Sequence, residues 1–449
     1  MHPFAWKSLH RLAAWLLLLG AWVGARAAIP IQHWQQPSGA QVYLVESRSI
    51  PMVDIQIDFD AGGRRDPPDK TGLASVTAVM TGKGVLAHGD QPPLDENQLS
   101  EAWADLGAGF GGDAGSDRMS FSLRSLTDPA LLDRAIELAA RQFGEPAFPL
   151  AVWERDRQRM SASIREANTR PGTVAGKAYD HAVYGSHPYG AEVTEASLAA
   201  ISIEDMQRFF RVHVMPCRAR VSVVGDVDRA QADAIVARML ARLPQPQGSC
   251  PALPPVPEVQ PLAAARTVAI PFESAQAHVL IGEPGYKRSD PDHLALLVGN
   301  YILGGGGLVS RLSTEVREKR GLSYGAYSYF SPGLHAGAFT IGLQTRPDQA
   351  AQAIVVAREV LARYVAEGPT QAELKAAKDY LIGGFPLRID SNRKLLDNVA
   401  AIAWHGLPLD YLDTWTAKVA RITAADVRAA MQRKLDPARM VTVTVGATP

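Results

Sequence analysis

LGGGGLVSRLSTEVREKRGLSYGAYSYF, residues 303 to 330, is the stretch whose reading decides the fold. It opens with four glycines, Gly304 to Gly307. A helix stop needs one or two at most, so the run reads either as a turn or as a loop that contacts a passing ligand. It is not a phosphate loop, because no Gly-Lys-Ser/Thr follows. Thr314 to Arg320 is a charge-rich, helix-like segment, and Gly325 to Phe330 reads as a strand. Arg317 and Tyr324 stand seven residues apart across that junction. Either they belong to a solvated helix face and a packed strand start, or they are paired donors, a fixed cationic fork and a neutral phenol.

Outward from this stretch, the second half of the chain alternates strands and helices. Thr267 to Phe272, His278 to Gly282 and Ala338 to Thr345 read as strands, the last with Phe339, Ile341 and Leu343 inward. Leu294 to Leu303 and Gln349 to Ala366 read as helices, and Thr370 with Glu373 forms a capping box that opens another. Trp404, Leu407 and Leu409 are expected in the core or between domains.

The first half has the same plan. Gln41 to Val45 is a short strand, and Met52 to Asp60 alternates so cleanly that it predicts a strand with Val53, Ile55, Ile57 and Phe59 buried and Asp54, Gln56, Asp58 and Asp60 solvated. Helices are expected over Thr71 to Met80, after the cap Asp128, over Ala151 to Ala167 and over Ile203 to Phe210. Met119 to Leu123 and Arg220 to Val224 are strands, and His187 to Gly190 is a turn.

Between the halves, Leu243 to Leu262 carries seven prolines and predicts an extended, semi-rigid connector. Ile201, Asp205, Pro216, Arg218 and Gly225 recur as Ile422, Asp426, Pro437, Arg439 and Gly446, all at one offset of 221. A constant offset is the mark of duplication. The expected organisation is a signal over residues 1–27, one α+β domain over 28–243, the linker 244–262 and a second α+β domain over 263–449, each a mainly antiparallel sheet packed with helices.

Composition narrows the function. At 449 residues, 47% of them hydrophobic, the chain is globular and long enough for two or three domains. The 46 basic residues balance 46 acidic ones, so no electrostatic footprint for nucleic acid is present. Lys7 and Arg11 precede an apolar run from Leu12 to Val23, and Ala25-Arg26-Ala27 supplies a small-x-small cleavage pattern. This predicts a secreted or periplasmic protein, with an uncleaved anchor as the alternative. Once cleaved, the chain keeps no stable membrane anchor. Cys217 and Cys250 are the only cysteines. In an oxidising compartment they form one disulfide or remain two thiols. The 11 histidines include no pair at i, i+3 or i, i+4, so no helical metal-ligand pair is written in the chain.

The motifs AGGRRDPPDKTGLA, HPYG, VSVVGDVD and SRLSTEVREKRGLSYGAYSYF together resemble the pitrilysin or insulinase class of zinc metallopeptidases, which includes the mitochondrial processing peptidases. The resemblance runs from about residue 40 to 446 and implies their fold. In active members the segment matching Gly72-Leu73-Ala74 continues into H-x-x-E-H, two zinc ligands flanking a general base on one helix face. Here the first ligand position is Ser75, the base position Ala78 and the second ligand position Val79. A third ligand, a glutamate, matches near Ser163, with Glu166 three residues on. This chain is therefore expected to bind no zinc of its own.

In the same class, an arginine and a tyrosine seven residues apart hold the substrate backbone opposite the metal. Arg317 and Tyr324 match that pair, and the glycine-rich run Gly304, Gly305, Gly306 and Gly307 matches a substrate-handling loop. The resemblance implies a zinc-free subunit of a heterodimer whose homologous partner carries H-x-x-E-H and the zinc. Peptides would be the substrates. A non-enzymatic peptide-binding or scaffold protein with the same fold is the alternative.

Overall fold

The computed structural model describes residues 29–246 and 248–447, so the expected secretory segment lies outside the described residues. Two sheets organise the chain. The first contains β1 (Gln32–Gln35), β2 (Gln41–Glu46) and β3 (Met52–Phe59). A short ribbon of β4 (Gly84–Val85) and β5 (Leu94–Asp95) precedes its remaining strands, β6 (Gly109–Ala114), β7 (Met119–Leu126) and β8 (Arg220–Gly225). The second contains β9 (Arg266–Ile270), β10 (Ala277–Tyr286), β11 (Ala326–Phe330), β12 (Gly337–Thr345) and β13 (Val441–Val445).

Strand order is β1-β2-β8-β3-β7-β6 in the first sheet and β11-β12-β10-β13-β9 in the second. Read from the parallel pair, β2-β8 and β9-β13, the two run through the same sequence of antiparallel neighbours. The architecture is α+β, with sheets mostly antiparallel. The offset of 221 recurs in the helices: Pro171–Tyr184 and Asn392–His405 are displaced by 221, as are Ile203–His213 and Ala424–Lys434.

The first of these helix pairs exchanges sides. Pro171–Tyr184 packs on β10 and β13 of the other half, and Asn392–His405 packs on β8 and β3. This corrects the expectation for β3. Asp54, Gln56 and Asp58 are buried, not solvated, because the helix of the second half covers their face. Their polarity is met locally: Arg124 pairs with Asp54 at 2.7 Å, Arg118 with Asp58 at 3.0 Å, and Ser120 donates to Asp58 at 2.6 Å. Trp404, on the covering helix, lies beneath Arg118 and Arg220, 5.7 and 5.0 Å from its ring. Leu407 is partly buried beside the same helix, whereas Leu409 is exposed rather than core.

On the opposite side Tyr179 enters the second sheet as a peg. Its hydroxyl donates to Phe339 O at 2.7 Å and accepts from Thr340 Oγ1 at 3.0 Å. Gly282 makes the room, since a Cβ there would lie 2.1 Å from that hydroxyl.

Among its described residues the proline-rich segment has no helix or strand, and it is pinned at several points. Cys250 is disulfide-bonded to Cys217, Arg218 donates to Pro251 O at 2.7 Å and Arg65 to Pro254 O. His187, whose Nδ1 accepts from the Tyr189 N–H, donates Nε2–H to Pro257 O at 3.0 Å. Glu258 then meets the second half through Lys287 at 2.7 Å and His335 at 3.1 Å.

Candidate functional site

The segment matching the zinc motif is the helix Leu73–Met80. Gly72 enters it at φ 105°, and Asp66 caps it by accepting from the N–H groups of Gly72 and Ala74, each at 2.8 Å. Burial outweighs those bonds and pushes the Asp66 carboxyl up to about 6. The helix lies alongside β6, an edge strand, and Ser75 Oγ donates to Ala114 O at 3.2 Å. Ala78 is fully buried and Val79 is 50% exposed. Ser163 is exposed on the helix Leu150–Ala167, and Glu166 is ion-paired with Arg170 at 2.5 Å. A hydroxyl, a methyl and an isopropyl group do not make a zinc site. Among the described residues, no group of three or more His, Cys, Asp or Glu side chains is placed to hold a metal ion.

The second half brings its pair together. Arg317 lies in a π-helical turn, Ser313–Glu318, which replaces the ordinary helix expected over Thr314 to Arg320. Its guanidinium carbon is 5.4 Å from the centre of the Tyr324 ring. Tyr324 is 88% exposed. Glu315 takes up the neighbouring cations, Lys319 at 2.7 Å and Arg320 at 2.6 Å, and these bonds hold its carboxyl below the usual range. Arg317 has no carboxylate partner among the described residues. A phenol in solvent therefore lies beside a half-buried charged fork, both free to donate to a third group.

Tyr324 is exposed, yet its backbone is held. Thr345 Oγ1 donates to Leu322 O at 2.5 Å, and the buried Ser323 hydroxyl lies 2.6 Å from Gln344 O and 2.7 Å from Gly325 O. Gln344 lies in β12 and Gly325 leads directly into β11, an edge strand with Tyr327 and Tyr329 exposed on one face.

The four glycines divide into two uses. Gly304 closes a second π-helical turn, Tyr301–Gly305, against β11, where a Cβ would lie 2.3 Å from Ser328 N. Gly305 and Gly306 are crowded in the same way by Asn300 and Tyr301, whereas Gly307 adopts φ 63° in open space. Only the tip beyond is free, with Leu308 60% and Val309 77% exposed. Sequence reasoning missed Arg311, which precedes the Arg317 turn. It forms a bidentate pair with Glu373 at 2.7 Å, donates to Gly368 O at 3.1 Å and lies 4.8 Å from the Tyr364 ring.

A family profile described as "Peptidase M16 inactive domain" matches residues 200–381. The crystal structure of a peptidase M16 inactive domain from Pseudomonas fluorescens is 34% identical, covers 93% of this chain and 98% of that one, and superposes with a TM-score of 0.87. The chain belongs to the M16 peptidase family. Its sequence is also 31% identical to an uncharacterized zinc protease of Streptomyces coelicolor over 58% of this chain, a match that spans 57% of that relative's length. It is 23% identical to the non-peptidase homolog YmxG of Helicobacter pylori over 92% of this chain and 93% of the relative. The periplasmic protease PqqL from Escherichia coli, at 16% identity, shares the fold alone, with a TM-score of 0.78 over 94% of this chain but 46% of its own. The profile described as inactive covers the end of the first half and most of the second, and does not reach the helix Leu73–Met80.

Proposed function

We propose that this chain is the zinc-free subunit of a secreted or periplasmic heterodimeric metallopeptidase, supplying Arg317 and Tyr324 in trans. The observation that carries the reading is the half-buried Arg317 beside the exposed Tyr324, without a carboxylate partner among the described residues, in a chain whose own motif helix holds Ser75, Ala78 and Val79. A homologous partner would carry H-x-x-E-H and the metal. Residues of this chain would then donate hydrogen bonds to a peptide carbonyl as negative charge develops on its oxygen. The Gly307–Val309 tip would contact the same peptide, extended along a sheet edge. This chain matches PqqL over 46% of that protein's length, which leaves room there for a further unit of similar size.

The test is to recover the native protein with its partner and assay the pair. The chain alone is expected to be inactive and the complex active. Arg317→Ala or Tyr324→Phe is expected to lower kcat by roughly 10²-fold. A double variant with full activity would end the trans role. A second reading, a peptide-binding or scaffold protein without catalysis, is favoured by the Helicobacter relative that is named a non-peptidase homolog. It predicts peptide binding with no hydrolysis even in the native complex.

A further inference from the structure

The Arg317–Tyr324 pair sits at the end of a segment that is unusual twice over. Two π-helical turns, Tyr301–Gly305 and Ser313–Glu318, bracket the exposed tip and the Arg311 position. A π turn is less favourable than an α turn and persists only where its surroundings hold it, most often at functional sites. It also changes the direction in which each later side chain leaves the axis, so the aim of Arg317 depends on the turn staying wide. On the far side the turn is closed by Gly321 N–H to Arg317 O and Leu322 N–H to Val316 O, each at 3.0 Å, and by the Arg320 guanidinium donating to Glu315 O at 2.9 Å.

On the near side the hold is Arg311. Its guanidinium is part-buried, with Nε and Nη2 each 2.7 Å from one oxygen of Glu373. Glu373 is itself fixed, because its second oxygen accepts from the Thr370 N–H at 2.7 Å and the Thr370 hydroxyl at 2.8 Å. The same guanidinium binds Gly368 O and covers Tyr364, whose hydroxyl donates to the buried Gly299 O at 2.9 Å. Arg311 thus joins the segment that carries Arg317 to two helices, Ala350–Glu367 and Gln371–Gly383, that are anchored in the second core. A planar, bidentate contact fixes rotation as well as distance, which a lysine ammonium cannot do.

We infer that Arg311, clamped by Glu373, is a positioning residue that aims Arg317 at its ligand and takes no part in the chemistry. The inference rests on the trans reading above. A displacement of about 1 Å at a reacting centre lowers a rate by about 10²-fold, so a loosened clamp is expected to act on kcat before KM.

The test uses the complete complex with its H-x-x-E-H partner and a fluorogenic casein as probe. Arg311→Lys is expected to lower kcat about tenfold or more while KM stays within about twofold. Glu373→Gln keeps an acceptor for the Thr370 cap but breaks the charged pair; it is expected to act in the same direction and serves if Arg311→Lys does not fold. In an Arg317→Ala background either change is expected to add less than about twofold, because nothing remains to be aimed. In the isolated chain, the amides of Gly321 and Leu322 are expected to exchange faster in Arg311→Lys. Unchanged kcat in both clamp variants overturns the inference, as does a full effect that persists without Arg317. If Arg317→Ala itself leaves kcat intact, the trans reading falls instead.

Discussion

Tyr179→Phe probes the exchange of helices between the halves with a change of one atom. The ring stays, so the apolar burial of a side chain that is 3% exposed is kept. What goes is the bond to Phe339 O at 2.7 Å and the acceptor for Thr340 Oγ1 at 3.0 Å. Thr340 is buried, so its hydroxyl is left without that acceptor. Two net hydrogen bonds at about 1 kcal/mol each, plus part of a desolvation penalty of about 1–3 kcal/mol, give an expected loss of about 2–3 kcal/mol. Urea unfolding followed by far-UV circular dichroism should show an earlier midpoint with an unchanged slope, because no new surface is exposed. Gly282→Ala attacks the same contact from the strand side, with its Cβ 1.9 Å from Phe339 O and 2.1 Å from the Tyr179 hydroxyl. It is expected to cost at least as much, and somewhat less in the Tyr179→Phe background, where one of the two clashes is gone. A Tyr179→Phe midpoint shift equivalent to less than about 0.5 kcal/mol would refute the view that this peg docks the halves.

Metal analysis of the purified chain is expected to find no stoichiometric zinc; about one zinc per chain would contradict the reading of Ser75, Ala78 and Val79. Burial raises Glu283 to about 7, above its ordinary 4.5, so its contribution favours the native state at low pH and is lost as pH rises between those values. Burial, with Arg288 nearby, lowers His293 to about 3 from 6.5, so its contribution is lost as pH falls through that window. The two slopes oppose each other from about 4.5 to 6.5, so Glu283→Gln is expected to make thermal stability rise more steeply with pH across that range than in the unsubstituted chain; an unchanged pH profile would count against the buried Glu283 carboxyl. Reduction of Cys217–Cys250, which closes a separation of 33 residues, is expected to lower stability by about 3–4 kcal/mol; a melt indifferent to reductant would count against that figure.

Much of this was legible in the sequence because it rests on local rules. The capping box at Thr370 and Glu373, the Asp128 cap and the alternation in β7 follow from periodicity and short-range hydrogen bonding. The Arg317 and Tyr324 spacing was readable as well, and the structure brings the two side chains together. The solvation of β3 was not. Asp54 and Asp58 alternate with Ile55 and Ile57 as a one-sided strand should, and nothing within 300 residues says that Asn392–His405 returns to cover them. Arg311 was missed for a related reason. Its partner Glu373 is 62 residues away, and as the N3 residue of a capping box it already had a sufficient local role. The π turns carry no sequence signature beyond the crowded glycines.

The energetics of the retained half argue against a purely structural reading of it. A cation–π contact such as the half-buried Arg317 makes with the exposed Tyr324 contributes on the order of 1 kcal/mol. Against this stand two π turns, an apolar tip at Leu308 and Val309 in water, and a tyrosine 88% exposed. The helix Leu73–Met80 is different: Ala78 is sealed in the core and Ser75 bonds the neighbouring strand. Had the Arg317 platform lost its use, the same settling would be expected there. Arg317→Ala should therefore change the unfolding free energy of the isolated chain by less than about 1 kcal/mol, while removing most of the activity of the complex. A large loss of stability with activity intact would make the pair part of the scaffold after all.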